Sequence, residues 1–231
     1  MLTGPQFFSA NLANVRARIE TAARQAGRDP ASVRLLAVSK QQTADSIRRL
    51  AAEGQTEFGE NYAQEAMPKI AGLRDIALAW HYVGQLQSNK TRAIAEQFDW
   101  VHTVDRARIA RRLSEQRPVH ARPLEVLLQV RLDDNTAKGG VAPAELEQLA
   151  DAAAGLPKLR LRGLMCLPEP TDDPVAQRTP FRRLRELFET LNEGGHRLDC
   201  QSMGMSGDLE AAVHEGATIV RIGTALFGAR T

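Results

Sequence analysis

VRLLAVSK, residues 33–40, is the stretch on which the fold turns. From Leu35 to Val38 it is continuously apolar, and turn signals bound it on both sides. A short run of that kind reads as a strand buried on both faces, the kind found in parallel sheets. A polar-faced helix carrying Ile47, Leu50 and Ala51 follows and closes at Gly54. The same alternation then repeats down the chain. Further strands are predicted at 57–59, 79–84, 100–103, 124–132, 159–165, 201–204 and 218–222. Helices are predicted at 62–73, 88–98, 106–116, 143–154, 180–193 and 208–215. With 33–39 this makes eight strands, each but the last followed by a helix.

Alternation argues a parallel sheet, and the count of eight argues closure. The expected fold class is α/β, a single (β/α)8 TIM-type barrel with an additional N-terminal helix. A doubly wound open sheet is the alternative. The extra helix comes first. Phe8, Leu12, Val15, Ile19, Ala22 and Ala26 form one apolar stripe, Gly27 suits the left-handed C-cap position, and Pro30 blocks continuation. Residues 1–27 are therefore expected to pack on the outside or the bottom of one barrel domain spanning 1–231. Residues 168–180 read as a loop with a mobile tip.

Composition narrows the function. A chain of 231 residues with 43% hydrophobic residues is the size of one such barrel, and the formal net charge of +2 leaves no basic stripe. Aromatic residues are 5% of the chain, too few for a base-stacking platform, so nucleic acid is not an expected partner. No window approaches the roughly 20 apolar residues of a membrane span, and no signal peptide is visible. Cys166 and Cys200 read as reduced interior cysteines, which places the protein in the cytoplasm. No HExxH or CxxC spacing points to a metal. His81 reads as a hydrogen-bonded strand-end histidine or a residue of the barrel mouth, and Asp133 and Asp134 as loop charges.

Functional residues of a parallel barrel sit at the carboxyl ends of its strands. Lys40 occupies that place after the first strand, its stem behind Ala37, Val38 and Ser39. Desolvation there disfavours the ammonium and exposes an amine able to condense with an aldehyde. Taken alone, an ordinary surface lysine explains the position as well. At the other end, VRIGTALFG (220–228) sets Arg221 near the tip of strand eight, with Gly223 and Thr224 opening a helical turn. SMGMSGDL (202–209) does the same after strand seven, where Ser206 is expected to head a helix. Barrels bind phosphate between those two loops, although plain N-capping also accounts for such residues. A phosphorylated aldehyde would bridge the lysine and the cup.

LLAVSK (35–40), FGENYAQE (58–65), HYVGQLQSNK (81–90), GLMCLP (163–168), SMGMSGDLEAAV (202–213) and VRIGTALFG (220–228) closely resemble the pyridoxal phosphate homeostasis protein family. That family is similar in fold to the barrel of bacterial alanine racemase. The resemblance implies pyridoxal 5′-phosphate as cofactor, held as an internal aldimine on Lys40. It implies Asn61 beside the cofactor, Ser206, Gly223 and Thr224 in the phosphate cup, and Arg221 facing the pyridine nitrogen. Lys138 stands where the family has a second, loop-borne lysine, in a stretch (RLDDNTAKGG, 131–140) that departs from the family wording.

Three functions are open at this point. The first is a non-catalytic protein that buffers the cofactor or delivers it to apo-enzymes that depend on it, a monomer by expectation. The second is a small pyridoxal-dependent racemase. Against it, Tyr62 and Tyr82 are the only tyrosines, and the chain to Thr231 is expected to encode no second domain with a tyrosine base. The third, an interaction module, has no exposed apolar stripe or disordered tail to support it.

Overall fold

The computed structural model describes residues 5–133 and 135–228. Eight parallel strands close on themselves in sequence order. They are β1 (Arg34–Val38), β2 (Glu57–Glu60), β3 (Ala79–Tyr82), β4 (Trp100–Val104), β5 (Leu124–Gln129), β6 (Leu159–Met165), β7 (Cys200–Ser202) and β8 (Ile219–Ile222). The seam is the pairing of β1 with β8, which sets Leu36 beside Arg221 and Ala37 beside Ile222. Between the strands run α2 (Ala44–Ala52), α3 (Ala63–Gly72), α4 (Thr91–Gln97), α5 (Ala107–Gln116), α6 (Leu146–Ala154), α7 (Pro174–Glu193) and α8 (Leu209–His214). A short α9 (Thr224–Phe227) follows β8, and α1 (Pro5–Gln25) precedes the barrel. The expected barrel with its extra helix is the fold observed.

Two cores result from the two faces of the strands. Leu36, Trp100, Leu127, Met165 and Ile219 form a buried cluster of their own. Their sequence neighbours Ala37, Val101, Leu128, Leu164 and Val220 belong to the larger cluster shared with the helices. This is the period-two alternation of a strand with one side chain inward and the next outward. It predicts that Arg221, two residues after Ile219, points inward, and its side chain does reach Ser202 on β7.

Several boundaries differ from the reading of the sequence. The seventh helix begins at Pro174 instead of 180, because Asp173 caps it by accepting from the Val175 amide (2.9 Å) and Pro174 suits the first helical position. Pro180 lies inside it and forgoes one backbone hydrogen bond. Much of the expected loop at 168–180 is thus helical. Asp208, not Ser206, is the residue before α8. β5 stops at Gln129, and Val130 continues only as a bridge to Val141. Asp134 lies outside the described residues, as do residues 1–4 and 229–231.

Helix α1 packs against α2, α8 and α9 on the outside of the barrel. Leu12, Val15, Ile19 and Ala22 of its predicted stripe are buried, and Gly27 has φ +68°, as a left-handed cap requires. Asn11 Nδ2 donates to the Leu226 carbonyl (3.0 Å), and Arg18 Nη2 donates to the Ser206 carbonyl (3.0 Å). No described helix is long and apolar enough to cross a membrane.

Candidate functional site

A cavity of about 360 Å³ opens at the carboxyl ends of the strands. Lys40, Asn61, Ser206, Arg221, Gly223 and Thr224 all line it. The pairing of β1 with β8 brings the first of these to the last two: Lys40 follows β1 by two residues, and Gly223 directly follows β8. A Cβ on Gly223 would stand 3.3 Å from the Val38 carbonyl, so a bare backbone allows the two strand ends to approach.

Lys40 is held through its neighbours. Ser39 is fully buried, and its carbonyl accepts from Lys69 Nζ at 2.9 Å. Its hydroxyl donates to Glu60 Oε1 (2.6 Å), while the Gln41 amide donates to Glu65. Lys69 also reaches both oxygens of Glu60 (2.9 and 3.1 Å) and Glu65 (2.5 Å). Burial pushes the Glu60 carboxyl above its ordinary range, and the Ser39 hydrogen bond and Lys69 oppose this. Gln41 adopts φ +63°, uncommon for a side chain of its size, at the point where the chain leaves the cavity.

Arg221 forms the inner wall. Its guanidinium is buried and donates to Ser202 Oγ and the Cys166 carbonyl, both at 2.8 Å. Neither partner is charged. Burial lowers the guanidinium pKa, and Asp208 and Cys166 oppose the shift. The same burial pushes the Cys166 thiol up to about 12, so it behaves as a packed, unreactive thiol. Asp208 turns the loop after β7 by accepting from the Met205 amide (2.5 Å).

Asn61 Oδ1 is buried and finds no hydrogen-bond partner among the described residues. An orphaned polar atom in a residue that lines a cavity is a group that a ligand donor would satisfy, once the oxygen turns toward it. Asn61 reaches this wall because Gly84 lets its backbone pass: a Cβ on Gly84 would fall 1.8 Å from the Asn61 carbonyl oxygen. The residues present thus fit a small anionic aldehyde. An amine stands at one strand end, two Gly-bearing turns face it, and a buried cation with neutral partners stands between them.

Sequence reasoning missed the other walls, Gln42, Met205 and Phe227 among them, and the supports provided by Lys69, Arg18 and Asn11. Glu65 and Lys69, four apart on a helix, were the visible signal for the first support. Lys138 is not part of the cavity wall. Its Nζ is held by Glu169 (2.9 Å) and donates to the carbonyl of Leu167, which does line the cavity (3.2 Å). His81 is not part of the mouth; it is a hydrogen-bonded histidine next to the last residue of β3, as expected, and fully buried inside the barrel. Tyr82 is buried, with its hydroxyl on the Gln85 carbonyl, and Tyr62 is exposed.

The family described as alanine racemase, N-terminal domain, matches residues 10–231. Pyridoxal phosphate homeostasis protein of Pseudomonas aeruginosa is 60% identical over 220 residues, covering 95% of this chain and 94% of that one. The protein of the same name from Escherichia coli is 49% identical over 223 residues, covering 95% of each. Among solved structures, PipY of Synechococcus elongatus with PLP bound superposes with a TM-score of 0.85 at 38% identity, covering 96% of this chain and all of that one. An alanine racemase of Clostridium difficile shares the fold, with a TM-score of 0.72 at 15% identity over 57% of its length.

Proposed function

The chain belongs to the alanine racemase N-terminal domain family and, within it, to the pyridoxal phosphate homeostasis proteins, and from that premise we propose that it binds pyridoxal 5′-phosphate in the cavity beside Lys40 to buffer and deliver it. The observation that carries this reading is the convergence of Lys40, Asn61, Ser206, Arg221, Gly223 and Thr224 on one cavity of about 360 Å³. That volume suits one small cofactor.

When bound, the cofactor supplies an aldehyde that condenses with an amine. In this reading Lys40 is that amine. Ser206 and the turn from Gly223 to Thr224 receive the phosphate, since the first amides of a helical turn have no partner within it. Arg221 would face the pyridine nitrogen. The described contacts engage two of the five N–H donors that a guanidinium carries. An arginine cannot accept a hydrogen bond, so the nitrogen opposite it must be the unprotonated acceptor. That weakens the ring as an electron sink and favours holding the cofactor over using it. Apo-enzymes that depend on the cofactor are the recipients in this reading, and the protein acts as a cytoplasmic monomer.

Titration with pyridoxal 5′-phosphate followed by absorbance and mass tests it. Wild-type protein should gain a visible band and, after borohydride reduction, the mass of one cofactor on the peptide bearing Lys40; Lys40→Ala should gain neither. Labelling of the Lys40→Ala protein at another lysine would overturn the assignment.

A further inference from the structure

A line of polar groups runs through the barrel interior, where packed apolar side chains are the norm. Arg221 Nη1 lies 2.8 Å from Ser202 Oγ, which lies 2.9 Å from His102 Nδ1. His102 Nε2 is 2.9 Å from His81 Nδ1, and His81 Nε2 is 3.5 Å from Glu57 Oε2. One end is the cavity wall; the other, Glu57, borders a groove at the opposite end of the strands, beside Arg34. Ser202, His102 and His81 are fully buried. We propose that Ser202, His102 and His81 are positioning residues for Arg221, joined in a one-way hydrogen-bond chain in which both imidazoles are neutral and carry their proton on Nε2.

The direction follows from the two ends. Arginine only donates, so Ser202 Oγ accepts from it, and the single hydroxyl proton goes to the other contact, His102 Nδ1. His102 then carries its proton on Nε2 and donates to His81 Nδ1. His81 in turn points Nε2–H toward Glu57 Oε2 at 3.5 Å, an electrostatic approach and not a formed hydrogen bond, since neither atom has a hydrogen-bond partner among the described residues. The reverse order would leave the serine proton without an acceptor and turn a bare imidazole lone pair toward a carboxylate. The cation therefore fixes the order through hydrogen bonds, and the charge of the carboxylate at the opposite end favours the same order.

Charge on the rings is opposed by burial, which holds both histidines well below the ordinary imidazole value, His81 helped by Arg34 and His102 by His81, Arg221 and Arg34. Trp100 stacks on His81 at 5.3 Å and 5°, and fixes the plane of that ring. The chain gives a buried guanidinium, with no carboxylate in contact among the described residues, a row of aligned dipoles, their negative ends toward it. It also fixes the guanidinium's rotation toward the cavity. The purpose assigned to Arg221 rests on the proposed cofactor site; the tautomers do not.

Long-range ¹H–¹⁵N correlation of the imidazoles in cofactor-free, full-length protein at pH 7 tests the chain. Both rings should show a bare Nδ1 and a protonated Nε2. A proton on Nδ1 of either ring, alone or in an imidazolium, overturns it. Ser202→Ala should release the His102 tautomer and speed loss of preloaded pyridoxal 5′-phosphate about tenfold, with Ser202→Thr restoring both. Wild-type tautomers and loss rate in Ser202→Ala would also overturn it. Should Ser202→Ala not fold, the wild-type spectrum alone decides. Protein that takes up no cofactor yet shows the stated tautomers upholds the chain and refutes the cofactor reading.

Discussion

The ammonium of Lys69 sits 2.9 Å from the carbonyl of Ser39, the residue immediately before Lys40. Helix α3 thereby grips the strand end that presents the amine. Replacing Lys69 by Met should leave the Glu60 carboxylate buried without its cation, at about 3–5 kcal/mol. The loss should depend on pH with a definite sign. Glu60 has a raised pKa in the folded protein, so its contribution is present in full below the carboxylate range and is lost as pH rises through the folded value. Removing Lys69 removes an influence that holds that value down, moving it further up. The melting deficit of Lys69→Met should thus be larger at pH 8 than at pH 5, as calorimetry at the two pH values would show. An equal deficit at both contradicts the pairing.

Gly84→Ala should be among the most damaging single-methyl changes in the chain. The new Cβ meets the Asn61 backbone at 1.8 Å, which no rotamer relieves. A loss of about 3 kcal/mol or more, or failure to fold, is expected in urea denaturation. Gly72→Ala, at the end of α3 with nothing within 4 Å, is the control. It should be neutral or stabilise by roughly 0.5–1 kcal/mol.

Asn61→Leu should move two observables in opposite directions. Removing an unpartnered buried oxygen should raise the melting temperature of the cofactor-free protein, by an amount equivalent to about 1 kcal/mol. Retention of pyridoxal 5′-phosphate in dialysis should fall about tenfold. A drop in both would mean that Asn61 serves packing alone.

Arg18→Ala tests the brace from α1. Arg18 holds the Ser206 carbonyl and pairs with Glu210 (2.7 Å), and it is partly exposed, so the stability change should stay below about 1 kcal/mol. The amides of residues 205–208 should nevertheless exchange several-fold faster by mass spectrometry. Cofactor loss should quicken by about threefold. Unchanged exchange would show that the loop stands without its brace.

Much of this was legible in the chain itself. The apolar run at Leu35–Val38, repeated at 124–128 and 219–222 with Glu125 and Arg221 as the interruptions, points to strands covered on both faces, as in a parallel sheet. Site residues were readable because glycine turns after the last two strands and a lysine after the first have few other reasons to share one architecture. Helix starts were less legible. Asp173 and Pro174 form a clear cap, but Pro180, six residues later, also reads as a helix start. The interior chain from Ser202 to Glu57 was hidden for a different reason. Its members come from four strands, and the two histidines are 21 positions apart. Local pattern carries no sign that they face one another. The clamp at Lys69 lay between these extremes, since its helix face was readable and its target was not.

The turns that receive the phosphate in this reading are steadied by residues 188 and 215 positions away, Arg18 on Ser206 and Asn11 on Leu226. During synthesis the brace emerges first and the parts it braces emerge last, together with the strand that closes the ring. A growing chain therefore presents the complete cup only after its last strand is made. Capture of the vitamin becomes a mark of a completed molecule, and any break that frees α1 should spill the cargo before the barrel itself gives way.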